Sequence, residues 1–180
     1  MDQQQGNGWN DGYVHVYTGN GKGKTTAALG VALRAAGAGL KVYIAQFIKG
    51  LHYSELESLQ QLSKHVTIRQ FGRGCFIRRE PVAADVDAAR HGLDEIRHVL
   101  REGAHRVVIL DEANVAITCG LFPVEDLNQL IDEKPPHVEL ILTGRGARPE
   151  ILERADLVTE MREVKHYYQQ GVLARAGIDK

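Results

Sequence analysis

The sequence predicts an α/β fold: a mostly parallel sheet covered by helices, built from 180 residues. Three observations point there. Short β-branched and aromatic stretches alternate with helical stretches along the chain. One of them, Val107-Val108-Ile109-Leu110, is apolar without alternation, as expected of a strand covered on both faces. A glycine-rich turn sits between the first strand and the first helix, at the strand end where such sheets bind ligands.

In chain order, residues 1–12 are polar and rich in glycine and read as a flexible arm; Trp9 is its one large apolar residue. Residues 13–180 read as a single domain. Tyr13 to Tyr17 is a short strand. Gly23 to Ala36, rich in Ala and Leu, is a helix ended by Gly37 and Gly39. Lys41 to Phe47 is a strand, Leu56, Leu59 and Leu62 mark a short helix face, and Val66 and Ile68 begin another strand. Val82, Val86, Ala89, Leu93, Ile96 and Leu100 step by four and three, which predicts a long amphipathic helix with Pro81 near its first turn. After the Val107 strand, Pro123 opens a helix carrying Val124, Leu127, Leu130 and Ile131. Val138–Thr143 and Leu157–Met161 are the last strands, and the chain from Val164 reads as helix and coil.

The 22 basic and 23 acidic side chains give a net charge of −1, which disfavours a protein built to neutralise nucleic-acid phosphates. The longest nearly unbroken apolar stretch, Ala27 to Leu33, is far short of a membrane span, and the first residues lack the basic and apolar runs of a secretory signal. Cys75 and Cys119 form no metal or disulfide pattern, and a reducing cytoplasm fits. The eight histidines suggest no zinc site.

The turn reads Thr18-Gly19-Asn20-Gly21-Lys22-Gly23-Lys24-Thr25-Thr26. Its glycines let backbone N–H groups approach phosphate oxygens, and the helix that follows adds unpaired N–H groups and the positive end of its dipole. Lys24 is the candidate phosphate cation and Thr25 the candidate magnesium-binding hydroxyl. Gly19, Asn20, Gly21, Lys22, Gly23 and Thr26 complete the candidate ATP site. Thr18 stands where the strict pattern has its first glycine, so the loop is a variant. Leu110-Asp111-Glu112 places two carboxylates after a buried strand; either can hold the magnesium, and a helix cap is the structural alternative. Arg145, in Thr143-Gly144-Arg145-Gly146, and Arg34, on the first helix, are further candidates for nucleotide contact.

Together these segments resemble the P-loop ATP:corrinoid adenosyltransferases. The resemblance is carried by Tyr17 through Ala28, by Gln46-Phe47-Ile48-Lys49-Gly50, by Leu110-Asp111-Glu112, by Thr143-Gly144-Arg145-Gly146, and by Val164-Lys165-His166 with Gly171-Val172 and Gly177-Ile178-Asp179. The late glycine of the loop is a trait of that family.

The resemblance implies a RecA-like P-loop fold and a homodimer. It implies transfer of the 5′-deoxyadenosyl group of ATP to the cobalt(I) of a reduced corrinoid, with triphosphate leaving, in adenosylcobalamin biosynthesis or salvage. ATP lies reversed in the loop of family members, with its γ-phosphate where other P-loop proteins hold an inner one. Magnesium, an electron-donating reductase and a cytoplasmic location are implied as well. Some members displace the corrinoid's lower ligand with a Phe and a Trp after the third strand. The matching positions here are Cys75 and Ile77, with Phe76 one place along, so Phe76 and Ile77 are the candidate corrinoid contacts. Gln46 to Gly50 are expected near the nucleotide or the corrin rim, and Lys165 and His166 near the same cleft. The rival activity is a P-loop kinase or ATPase giving ADP. The non-catalytic rival is a nucleotide-gated binder using Arg69, Arg73, Arg78 and Arg79.

Overall fold

Apolar side chains on both faces of the central strands require helices on both sides, and the computed structural model has them. It describes residues 11–74 and 80–179. Strands β1 (Val14–Thr18), β2 (Val42–Lys49), β3 (Val66–Gly74), β4 (Val107–Asp111), β5 (Glu139–Thr143) and β6 (Leu157–Glu160) form one sheet in the order β3-β2-β4-β5-β1-β6. Every neighbouring pair is parallel. The helices are α1 (Lys24–Gly37), α2 (Ser54–Gln60), α3 (Ala83–Glu102), α4 (Ala113–Thr118), α5 (Val124–Glu133) and α6 (Pro149–Leu152).

Strand alternation sorts the core into two layers. Val42 and Ile44 of β2, with Val107 and Ile109 of β4 and Ile141 of β5, pack against Ala28, Ala32 and Ala35 of α1 and Leu59 of α2. Tyr43, Ala45 and Phe47, with Val108 and Leu110, face Leu93, Ile96 and Leu100 of α3, Ala113 of α4 and Leu127 of α5. Helix α3 carries the predicted stripe, and each of its fully buried Leu and Ile side chains contributes about 2 kcal/mol by apolar burial. It starts where Asp85 accepts a hydrogen bond from the Val82 N–H at 3.1 Å, and ends at Gly103 with φ 63°. No helix among the described residues is long and apolar enough to cross a membrane.

Two helices were not expected. The α4 segment, Ala-Asn-Val-Ala-Ile-Thr, is only six residues long, four of them β-branched or polar, so no periodicity announces it. The four-residue α6 is too short to show one. From Val164 onward the only described helix is a 3-10 turn, Tyr167–Gln170.

Beyond β6 the chain folds back over the glycine-rich turn. The Gly21 N–H donates to the Met161 carbonyl at 2.6 Å. Asp179 gathers the tail: it accepts from Lys22 Nζ at 2.5 Å, from the Tyr167 hydroxyl, and from the N–H and Nε of Arg175, each at 3.1 Å. Lys22 first, then Tyr167, holds the Asp179 carboxyl well below the usual carboxylate range.

Two outcomes are expected. A Cβ at Gly92 of α3 would lie 2.6 Å from the Phe71 ring, so Gly92→Ala should destabilise the fold by about 1–3 kcal/mol in denaturant titrations. Because the folded Asp179 is depressed, its tether is complete above the unfolded carboxylate pKa of about 3.9 and is lost as pH falls through the folded value. Limited proteolysis at neutral pH should therefore cut the tail of Asp179→Asn faster than that of the parent chain.

Candidate active site

The turn between β1 and α1 is shaped by its glycines. Gly23 takes φ 118°, a left-handed conformation that leads directly into α1. No side chain caps α1, so its first N–H groups remain available to an anion. Gly19 and Gly21 have a second reason to be glycine. A Cβ at either would lie 2.5–2.7 Å from the Met161 carbonyl oxygen, so the return segment after β6 leaves no room for a side chain. Thr18, in place of the first glycine, accepts a hydrogen bond from the Ala147 N–H at 3.3 Å and ties the turn to the loop after β5.

Lys24 is buried, and its ammonium donates to the carbonyls of Gly19 at 2.8 Å and Gly21 at 2.7 Å. The cation is thus already curled into the loop. Burial, and then the charge of Arg145, lowers its pKa, while Glu112 and Asp111 pull the other way. Lys22 points outward instead and is engaged by Asp179 and by the Ile178 carbonyl at 2.7 Å. Asn20 and Thr26 are exposed beside the loop.

Asp111, at the end of β4, is 1% exposed and accepts four hydrogen bonds. Thr25 Oγ1 (2.8 Å) and Thr143 Oγ1 (2.7 Å) donate to Oδ1. Gln46 Nε2 (3.2 Å) and Lys49 Nζ (2.9 Å) donate to Oδ2. Gln46 is itself held by Gln70 Nε2 at 3.1 Å. A carboxylate offers about four lone-pair positions, so Asp111 is saturated by protein donors.

Glu112 is different. It sits at the N-cap of α4 with φ 61°, a strained value for a non-glycine residue, and its side chain makes no capping bond. Its backbone N–H donates to Thr143 Oγ1 at 3.0 Å. Burial, and then the neighbouring Asp111, raises its carboxyl pKa against the opposing pull of Lys49, Lys24 and Arg145. A carboxylate with no hydrogen-bond partner among the described residues, next in the chain to the Asp111 that Thr25 Oγ1 donates to, gives with that hydroxyl a hard-oxygen donor pair of the kind magnesium takes with phosphate oxygens. These residues fit the metal.

Of the sequence-derived candidates, Lys24, Thr25, Asp111, Glu112 and Arg145 come together here. Arg34 does not: it is exposed in the last turn of α1, ten residues and about 15 Å of helix from Lys24. Phe76 and Ile77, with Trp9, Arg78 and Arg79, lie outside the described residues. Thr143, Gln46 and Lys49 hold Asp111, a role that no motif in the sequence announces. Their signal was position: each stands at or near the carboxyl end of a strand beside β4.

The family model described as ATP:corrinoid adenosyltransferase BtuR/CobO/CobP matches residues 10–179. The chain is 39% identical over 169 residues to the corrinoid adenosyltransferase of Escherichia coli K12, spanning 93% of this chain and 85% of that one. It is 37% identical, with the same coverage of each chain, to corrinoid adenosyltransferase CobA of Salmonella typhimurium LT2. Among solved structures, a KaiC-like protein of Pyrococcus horikoshii matches with a TM-score of 0.58 and 21% identity, over 83% of this chain and 73% of that one, which supports the RecA-like fold alone. With a saturated strand-end aspartate, a lysine curled into a glycine-rich turn and a family match along nearly its whole length, this chain belongs to the ATP:corrinoid adenosyltransferases.

Proposed function

We propose that this chain transfers the 5′-deoxyadenosyl group of ATP to the cobalt(I) of a reduced corrinoid through the site formed by Lys24, Thr25, Glu112 and Arg145. The observation that carries the reading is the pre-formed cationic loop, with Lys24 Nζ held 2.7–2.8 Å from two loop carbonyls ahead of an uncapped helix. The nucleophile is the cobalt(I) centre of the substrate. Its electron pair forms the Co–C5′ bond while the C5′–O bond breaks, and that bond's pair leaves on triphosphate. Cobalt(I) carries no proton, so the site needs no general base. Its task is to hold a polyanion as charge grows on the departing oxygen. Lys24, the α1 N–H groups and Arg145 supply fixed positive charge where it develops.

Magnesium, held by Thr25 and Glu112 together with phosphate oxygens, would supply further charge neutralisation. Asp111 then orients the Thr25 hydroxyl and is not a metal ligand, because all its acceptor positions are taken. Gly19, Asn20, Gly21, Gly23 and Thr26 line the nucleotide site in this reading. Lys22 joins them only if it exchanges Asp179 for phosphate.

Phe76 and Ile77 are proposed as the apolar contacts beneath the corrin. Residues 13–180 are read as one domain, with 1–12 as an N-terminal arm whose last residue, Gly12, is held by Pro136 and Lys134. A homodimer is proposed as well, supported by the edge strand β6, whose four residues are all exposed, Leu157 and Val158 among them. Cobalt(I) must be generated before transfer, so the chemistry requires an electron donor; a reductase partner and a cytoplasmic location are proposed with it.

The decisive assay combines Mg-ATP with a chemically reduced corrinoid under anaerobic conditions. A light-sensitive adenosylcorrinoid plus triphosphate is expected; ADP as the product would favour the kinase or ATPase. Lys24→Ala should lower the transfer rate about 100-fold or more, as loss of a main electrostatic contact to a developing anion does. Glu112→Gln should weaken magnesium-dependent ATP binding at least about tenfold in equilibrium titrations, while ATP binding in chelator stays as in the parent.

A further inference from the structure

Lys49 should not reach Asp111. In β2, Tyr43, Ala45 and Phe47 face the α3 layer, and Val42 and Ile44 face the α1 layer, as the two-residue strand period requires. Continued regularly, that period would send Ile48 toward α1, beside Gln46 and Asp111, and Lys49 toward α3. The structure does the reverse. Ile48 packs in the α3 core with Phe47 and Phe71, and Lys49 crosses to Asp111, its Nζ 2.9 Å from Oδ2.

The inversion is made at one residue. Ile48 has φ 65°, a left-handed conformation that a β-branched side chain rarely adopts. The β2–β3 register shifts at the same place: Phe47 pairs with Phe71, but Lys49 pairs with Gly74, so Ile48 alone opposes two residues. Two glycines make the crossing possible. A Cβ at Gly72 would lie 2.3 Å from the Ile48 carbonyl carbon, and one at Gly50 would lie 2.3 Å from the Gly72 oxygen. A strained residue, a bulge and two backbone approaches that exclude any side chain all serve one displacement. Strain retained at a strand end beside a binding site points to a role for what it positions.

What it positions is a cation. Lys49 Nζ lies between Asp111 and Glu55, the latter at 3.4 Å, with its side chain 14% exposed. It occupies one oxygen of the carboxylate whose other oxygen receives Thr25 Oγ1. A divalent ion at Thr25 would therefore find Asp111 already neutralised by the chain's own ammonium.

We propose that Lys49 is a positioning residue that blocks Asp111 as a metal ligand, so that Thr25 and Glu112 are the only protein ligands left to the divalent cation bound with ATP. The proposal rests on the reading of Glu112 given above. Lys49 does not touch substrate; it acts through Asp111.

The test is the magnesium concentration that half-saturates ATP binding, measured by calorimetry on the full chain. Lys49→Met removes a unit charge a few ångströms from the metal and frees one Asp111 oxygen, so half-saturation should fall about threefold or more. Adenosyl transfer should slow in the same variant, because the metal is drawn off its place. Lys49→Arg, which keeps the charge, should retain the parental metal dependence. Should Lys49→Met fold poorly, Lys49→Leu gives the same comparison, since it likewise removes both the charge and the donor from Asp111. An unchanged or increased magnesium requirement in a folded, neutral Lys49 variant, alongside a weakened Glu112→Gln, would overturn this proposal alone. A parental metal dependence in Glu112→Gln would overturn the Glu112 reading and this proposal with it.

Discussion

A carboxylate withdrawn from water must be compensated in place, and the active end of this sheet is organised around that requirement at Asp111. Removing an ion of this size from water costs several kcal/mol even after relaxation. The compensation comes from α1 through Thr25, from β5 through Thr143, and from β2 through Gln46 and Lys49. Three separate elements are therefore pinned to the end of β4, and none can shift without leaving part of a buried charge unmatched. Thr143 does double duty, since its hydroxyl donates to Asp111 and accepts from the Glu112 N–H. The carboxyl ends of β2, β4 and β5 are aligned with the start of α1 by this one side chain.

The same site shows two reasons for a glycine that look identical in sequence. Gly23 is needed for its φ, because the chain must turn sharply into α1. Gly19 and Gly21 are needed for space, because the Met161 backbone lies across them. The return segment therefore shapes the loop as much as any phosphate would. The tail beyond it is tethered to Lys22 by Asp179, so the part of the loop that reaches outward is engaged by the chain's own C-terminal segment. The glycine-rich turn and the tail share this one ion pair.

Much of this was legible in the residues. Buried strands such as Val107 to Leu110 and the α3 stripe follow from apolar periodicity, and the loop follows from its glycines and lysine at a strand–helix junction. What was not legible failed for identifiable reasons. Helix α4 is too short to carry a period. Arg34 reads as a candidate for nucleotide contact because it is a cation on the first helix, but helical rise carries it to the far end of α1. The equivalence of Asp111 and Glu112 in sequence dissolves only when donors are counted: one carboxylate is saturated and the other is not. Lys49 is the most instructive. A strand period assigns it to the wrong face, and only a backbone torsion at its neighbour corrects the assignment.

The two non-glycine residues with positive φ among those described, Ile48 and Glu112, lie at the ends of adjacent strands β2 and β4 and flank the same aspartate. Each such conformation costs on the order of 1–3 kcal/mol and persists only where surrounding contacts over-determine it. At Ile48 those contacts are the Phe47 and Phe71 core on one side and the Lys49–Asp111 pair on the other. At Glu112 they are the buried Asp111 before it and the fully buried Ala113 and Asn114 after it. The strain is matched in its effect: one residue turns a cation onto Asp111, and the other leads into α4 without spending its carboxylate on the cap. A regular β2 would leave Asp111 with three of its four donors and without the Lys49 ammonium, and an ordinary cap would bind Glu112 to its own helix. The irregular backbone at these two points is what gives neighbouring carboxylates different surroundings, one filled with donors and the other open.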